Sequence, residues 1–158
     1  MIKYPDDPFA LAALGVIKEH DQSLFSQMIT SDWEVRLART VDDLITPGMP
    51  ADEAAESRQH WGTAFAGTGS ERSVNPGVTF LYVPYITEIA DEKGMPVSEF
   101  TADVLAHEFT HYKGGSEWPA FREGARFACN TGLNGTVCTF AVDNLAMFAA
   151  QQLMGIPY

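Results

Sequence analysis

Residues 98–113, SEFTADVLAHEFTHYK, form the segment that most restricts how this chain can fold. Ser98 can cap a helix at its start, and the pair Gly114 and Gly115 can end it. Three apolar positions recur at helical spacing and would share one side of that helix: Ala102, Leu105 and Phe109. The segment therefore predicts a helix that buries one face in the core and turns the other toward a polar site.

The polar face of this helix carries His107, Glu108 and His111. Residues four apart lie on the same face of a helix, so both imidazoles can bind one metal ion. Glu108 lies beside them, where its carboxylate can take a proton from water. The spacing HExxH therefore predicts a Zn²⁺ site in which Glu108 is the general base.

A catalytic zinc site needs a third protein ligand, and the sequence offers two carboxylates for it. Glu123 lies in the segment PAFREGARFA, which resembles the following helix of gluzincins, and it is the preferred prediction. Glu117 is the alternative, because it follows His111 by six residues in the metzincin-like spacing HExxHxxGxxE. Asp143 is farther along the chain and is expected near the metal ligands, not among them.

The remaining segments predict a helix-rich α+β domain. Apolar residues recur at helical spacing from about 8 to 29, and residues 33–45 fit either a strand or a helix. The other elements expected from the pattern are a helix at about 50–65, a strand at 78–86, a helix from Pro119 to about 129 and a helix at about 138–153. Pro84 indicates that the strand at 78–86 is an edge strand or ends there.

The segment from Trp61 to Phe148 resembles the deuterolysin and lysine-specific metalloendopeptidase family, the aspzincins. Three blocks carry this resemblance in order: HWGTAFAG at 60–67, VTFLYVPYI followed by TADVLAHEFTH, and AVDNLAMFAA at 141–150. The resemblance implies a zincin-like domain over residues 1–158, with a helical part at about 1–67 and a catalytic part at about 75–158. It also implies that His107 and His111 bind zinc, that Glu108 is the base, and that Asp143 lies near the substrate pocket.

The chain departs from this family at the motif GTxDxxYG. Aligned without gaps, Ala120 stands where the family has its aspartate ligand and Glu123 where it has a tyrosine, while Gly124 is retained. Glu117 and Glu123 each lie three residues from Ala120, which is about one helical turn. The missing tyrosine leaves four side chains as possible donors to the transition state: Tyr112, Tyr85, His60 and Arg122.

Together these features predict a zinc metalloendopeptidase that hydrolyses peptide bonds with a metal-activated water. Tyr112 is the expected catalytic partner of Glu108, and the strand at 78–86, with Tyr85, is expected to bind an extended peptide or protein substrate. Two other functions fit the altered motif: a catalytically inactive zincin-like binding domain, and a toxin or effector protease specific for one protein partner.

The formal net charge of −11 argues against binding nucleic acid or an anionic membrane, since both require a basic surface. The sequence has no apolar run long enough for a transmembrane helix and no visible signal peptide, so secreted and cytoplasmic locations both remain open. The two cysteines, Cys129 and Cys138, can be bridged or reduced, and their spacing does not distinguish these states.

Overall fold

A computed structural model describes residues 1–45, 48–61, 64–69 and 75–155, without the side chains of His60 and Trp61. Within these ranges the chain is an α+β structure in which helices surround a small mixed sheet. The helices are α1 Pro8–His20, α2 Gln22–Thr30, α3 Ala51–Trp61, α4 Val83–Lys93, α5 Val97–Tyr112, α6 Glu117–Asn130 and α7 Gly135–Leu153. The strands are β1 Glu34–Ala38, β2 Ala66–Thr68 and β3 Val78–Tyr82, and a 3-10 helix covers Val41–Leu44.

The N-terminal segment with apolar residues at helical spacing forms two helices, because Asp21 interrupts it. The Asp21 backbone N–H still donates to the carbonyl of Ile17 at 2.8 Å and so ends α1. Its side chain then accepts from the backbone N–H of Leu24 at 3.0 Å and caps α2. One aspartate therefore closes one helix and opens the next, which helical periodicity alone does not reveal.

The sheet has the order β1-β3-β2, with β1 parallel and β2 antiparallel to β3. The ambiguous segment 33–45 thus contains a strand followed by a 3-10 helix. β3 pairs on both sides and ends at Tyr82, so of the two possibilities that Pro84 indicated the edge strand is wrong and the strand end is correct. Among the described residues the edge nearest the predicted site is β2, a three-residue strand that the sequence analysis did not predict.

The strand predicted at 78–86 is correct only as far as Tyr82. The chain enters α4 at Val83, and Pro84 occupies the second position of that helix. Proline suits the first turn of a helix, since its missing N–H has no partner there. Tyr85 therefore belongs to a helix and not to a strand, and α4 was missed by the sequence analysis.

The boundaries of the three C-terminal helices differ slightly from the predicted ones. α5 begins at Val97 with Pro96 at the N-cap position, so Ser98 is not its cap. α6 begins at Glu117, two residues before the predicted start near Pro119. α7 begins at Gly135, because the side chain of Asn134 accepts from the backbone N–H of Thr136 at 3.0 Å and caps the helix.

The predicted site helix, α5, lies at the centre of the fold. It packs against α1, α4, α6 and α7 and against β2 and β3. Ala102, Leu105 and Phe109 are buried, which confirms that this side of the helix faces the core. None of the described helices is long and apolar enough to cross a membrane.

A disulfide between Cys129 and Cys138 joins the end of α6 to the start of α7, with the two Cα atoms 4.6 Å apart. The two cysteines are therefore bridged and not reduced, which their spacing in the sequence did not predict. The bridge spans a sequence separation of 9 residues and holds the antiparallel pair of helices that forms one wall of the site.

We predict that the double variant Cys129→Ser/Cys138→Ser unfolds with a free energy lower by about 3 kcal/mol, because opening a loop of this size increases the entropy of the unfolded chain. Urea unfolding of the oxidised wild type and the variant measures the difference. Dithiothreitol should destabilise the wild type and leave the variant unchanged, whereas equal stability of the two proteins contradicts the prediction.

Candidate metal centre

The C-terminal half of α5 brings His107, Glu108 and His111 together. The Nε2 atoms of the two histidines lie 3.2 Å apart. One potential ligand atom from each of the three residues lies within 4.8 Å of the others, so the group is close enough to hold a metal ion. The two imidazoles converge because they are one helical turn apart on the same face.

The turn after α5 orients His111. The Nδ1 atom of His111 lies 2.9 Å from the carbonyl oxygen of Gly115. A carbonyl can only accept, so Nδ1 carries the proton, and in the neutral ring Nε2 keeps its lone pair for a metal. The sequence analysis treated the glycine pair only as the end of the helix, whereas it also sets the orientation of a candidate ligand.

Both glycines of this turn are required by the backbone. Gly114 has φ +92°, a region that favours glycine. A Cβ at Gly115 would lie 2.7 Å from Cγ2 and 2.9 Å from the carbonyl oxygen of Thr110. The Gly115 N–H donates to that same carbonyl at 2.9 Å. This close approach places the Gly115 carbonyl within reach of His111.

Glu117, the first residue of α6, lies against both imidazoles. Its Oε1 accepts a hydrogen bond from Nε2 of His111 and lies 3.8 Å from Nε2 of His107. This hydrogen bond raises the pKa of His111 to about 9 despite its burial. Burial raises the pKa of Glu117, but the hydrogen bond from His111 and the neighbouring His107 outweigh it and lower the pKa to about 2. Without a metal, the pair is therefore a carboxylate and an imidazolium.

Glu123, the preferred third ligand in the sequence analysis, lies elsewhere. Its two carboxylate oxygens accept from Arg126 at 2.6 and 2.9 Å. Arg126 also donates to Asp21 at 2.7 Å, so Glu123 is held toward the junction of α1 and α2. The structure thus places Glu117, the alternative of the sequence analysis, and not Glu123 beside the histidines.

These donor atoms suit a zinc ion chemically. Tetrahedral zinc with Zn–N bonds near 2.0–2.1 Å places its ligand atoms about 3.3 Å apart. The separation of 3.2 Å between the two Nε2 atoms agrees with that value. Two imidazole nitrogens and one carboxylate oxygen also form a ligand set that zinc commonly uses.

Glu108 is buried, with 5% of its surface exposed, and burial is the main cause of its raised pKa. Its Oε2 accepts a hydrogen bond from the hydroxyl of Thr68 at 2.7 Å. Thr68 is the register partner of Thr79 across the pair of strands β2 and β3, and their hydroxyl oxygens are 2.6 Å apart. The indole N–H of Trp33 donates to Thr79 at 2.8 Å. The sequence analysis missed all three residues, since β2 itself was not predicted.

The histidines open into a cavity of about 850 Å³ between β2, α5, α6 and α7. Much of its wall is aromatic or aliphatic, formed by Phe65, Phe100, Val104, Phe121 and Phe140. Gly67 and Thr68 of the edge strand β2 line the same cavity. The candidate metal centre is therefore accessible and has room for part of a larger molecule.

Asp103 lines this cavity one helical turn before His107. It is buried, and its Oδ1 has no hydrogen-bond partner among the described residues. Burial, together with the charge of Glu123, raises its pKa well above the usual range. The only signal in the sequence was its spacing of four residues from His107.

The other predicted site residues divide into two groups. Tyr112 lines the cavity, and its ring packs against Trp33 at a centroid distance of 6.0 Å. Tyr85 stacks on Phe65 outside the cavity lining, and Arg122 and Asp143 are exposed to solvent away from it. Of the two neighbours Asp143 and Asn144 on α7, Asn144 is the one that lines the cavity. The side chain of His60 lies outside the described residues.

Comparisons of this chain with protein-family models, with curated proteins and with solved structures each give no match. What can be said of the site therefore depends on its own geometry.

If the cluster holds a metal ion, we predict that Gly115→Ala weakens metal binding by about 10- to 100-fold, because the turn must shift and His111 loses the partner that orients it. Isothermal titration of chelator-treated protein with zinc measures the affinity. Gly15→Ala is the matched control, since Gly15 lies in α1 with no atom within 4 Å of an added Cβ. Equal affinity in both variants contradicts the assigned role of Gly115.

Proposed function

We propose that this protein is a zinc-dependent endopeptidase. The observation that carries the proposal is one cluster in which the Nε2 atoms of His107 and His111 converge, Glu117 contacts both, and the buried Glu108 lies beside them. A hydrolase needs these parts together: a metal ligand set, a carboxylate base and an accessible cavity.

His107, His111 and Glu117 would hold the zinc ion. When bound, the ion would supply a Lewis acid that polarises the scissile carbonyl and makes water more acidic. Glu117 suits the third position, because it adds one negative charge to two neutral imidazoles and because the positive end of the α6 dipole stabilises that charge. The proton now shared between His111 and Glu117 would leave on binding, as it does at other metal sites.

Glu108 would take a proton from the attacking water and deliver it to the leaving amine. Its burial disfavours the charged carboxylate and so makes it a stronger base than an exposed glutamate. The hydrogen bond from Thr68 holds Oε2 of the carboxylate in place, and Oε1 is the second oxygen that could take the proton.

An extended peptide would bind along β2. This strand is one of the two edges of the described sheet, and its residues Ala66, Gly67 and Thr68 line the cavity. A peptide added to such an edge gains backbone hydrogen bonds and places alternate side chains toward the aromatic wall. β2 thus takes the role that the sequence analysis gave to the strand at 78–86.

Tyr112 is the donor we assign to the developing negative charge on the substrate carbonyl. It alone of Tyr112, Tyr85 and Arg122 lines the cavity, and packing against Trp33 and Phe109 limits its motion. A donor aimed at the oxyanion contributes strongly to catalysis, because the charge develops only in the transition state.

We predict that Glu117→Ala lowers zinc affinity by more than about 100-fold, whereas Glu123→Ala leaves it nearly unchanged. The expected loss exceeds the 10- to 100-fold cost of losing an outer partner of a ligand, since Glu117 is a direct ligand in this proposal. Zinc titration of both variants is the measurement. If Glu123→Ala lowered zinc affinity more than Glu117→Ala, Glu123 would be the third ligand instead.

We predict that Glu108→Gln lowers kcat by about 10²- to 10⁴-fold, because the amide cannot act as a base, and that it still binds one zinc ion per chain. Cleavage of denatured casein and of a mixed peptide library, with and without a chelator, measures activity. Elemental analysis measures the metal.

A zinc-loaded wild type that cleaves neither substrate would overturn the proposal of a general endopeptidase. A binding domain or a protease with a single protein partner would then be the better interpretation. Full activity in Glu108→Gln would instead show that another group is the base.

A further inference from the structure

A chain of three hydrogen bonds connects Glu108 to the core of the sheet. The indole N–H of Trp33 donates to Oγ1 of Thr79 at 2.8 Å, the hydroxyls of Thr79 and Thr68 are 2.6 Å apart, and Thr68 donates to Oε2 of Glu108 at 2.7 Å. Trp33 and Thr79 are fully buried, so water does not compete for the hydrogen bond between them. The chain crosses from the segment before β1, through β3 and β2, to the site helix.

The chemistry of its two ends fixes the direction of this chain. An indole N–H can only donate, and an ionised carboxylate can only accept. Each threonine hydroxyl has a single proton. The hydroxyl of Thr68 donates its hydrogen bond to Glu108. Thr79 must therefore donate to Thr68 while it accepts from Trp33. No other assignment of the protons satisfies all three bonds.

We propose that Trp33, Thr79 and Thr68 are positioning residues that reserve Oε2 of Glu108 as an acceptor, so that Oε1 is the oxygen that accepts the proton in catalysis. The proposal rests on the function proposed above. If Oε2 took the proton, it would either become a much weaker acceptor for Thr68 or donate to Thr68, and in the second case Thr68 would have to donate to Thr79. The Thr79 proton would then lose its acceptor, because the indole of Trp33 cannot accept, and a buried hydrogen bond would be lost.

The step balances with one proton. An O–H bond of the attacking water breaks, its proton forms a bond to Oε1 of Glu108, and the water oxygen bonds to the carbonyl carbon of the substrate. The same proton then passes from Oε1 to the amide nitrogen as the C–N bond breaks. Glu108 ends the cycle ionised, with its bond from Thr68 unchanged throughout.

The chain also restrains the position of the base. Trp33 packs against Phe109, the residue after Glu108, at a centroid distance of 5.1 Å. Its ring therefore contacts the site helix while its N–H contacts the sheet. A displacement of Glu108 relative to β2 would disturb both contacts, which suits a residue whose reactive oxygen must be held to within a fraction of an ångström.

The variants Thr68→Val and Thr68→Ser distinguish the effect of the Thr68 hydroxyl from the effect of the side-chain shape. Val keeps the shape and removes the hydroxyl, and Ser keeps the hydroxyl. We expect Thr68→Val to lower kcat by about 10- to 100-fold with KM and zinc affinity unchanged, and Thr68→Ser to retain most of the activity. Thr101→Val is the control, since Thr101 is a buried threonine of α5 whose hydroxyl donates to the carbonyl of Val97, outside the chain. It should leave kcat unchanged.

The indole N–H resonance of Trp33, assigned by its loss in Trp33→Phe, gives a readout that does not depend on activity. Thr68→Val should shift this resonance, because Thr79 loses its acceptor, and Thr68→Ser and Thr101→Val should not. Equal kcat in the Val and Ser variants, or an unmoved resonance in Thr68→Val, would overturn the proposal. If the zinc-loaded wild type is inactive, the endopeptidase proposal fails, and the resonance by itself decides whether the chain acts as a unit.

Discussion

The packing of Trp33 between the sheet and α5 is the interaction on which the rest of the structure depends. Its ring contacts Phe109 and Tyr112, and its N–H binds Thr79 of the central strand. Loss of a fully buried aromatic side chain of this size costs about 3–5 kcal/mol. This one side chain fixes the distance between the helix that carries Glu108 and the edge strand that carries Thr68, so stability and the site share the same contact.

The electrostatics of the site follow from the start of α6. Because this helix begins at Glu117, the carboxylate of that residue lies over the imidazoles, where two partners and the helix dipole favour its charge. Glu123 is six residues farther on, and at 3.6 residues per turn it points about 120° away from Glu117. The two glutamates therefore cannot both face the histidines, and Arg126 holds the second one on the other side.

Several features of the fold keep the site in this arrangement without taking part in its chemistry. The turn at Gly114 and Gly115 sets the angle between α5 and α6 and orients His111. The disulfide between Cys129 and Cys138 fixes the far end of α6 against α7. Gly124 leaves room for Asp103, since a Cβ there would lie 3.2 Å from the carboxylate. The cavity is thus bounded by elements whose relative positions are held at both ends.

The sequence by itself determined the α+β class, the site helix and its buried face, and the pairing of His107 with His111 and Glu108. These are local features, because helical periodicity and a spacing of four residues act within one or two turns. Only the tertiary structure decided that Glu117 and not Glu123 meets the histidines, that Asn144 and not Asp143 lines the cavity, and that β3 is central while β2 is the edge at the site. It also created the chain from Trp33 to Glu108, whose members are far apart in sequence. Such contacts depend on where helices begin and how strands pair. Local patterns predict these positions only to within a few residues. A shift of that size turns a side chain to another face of its helix or strand.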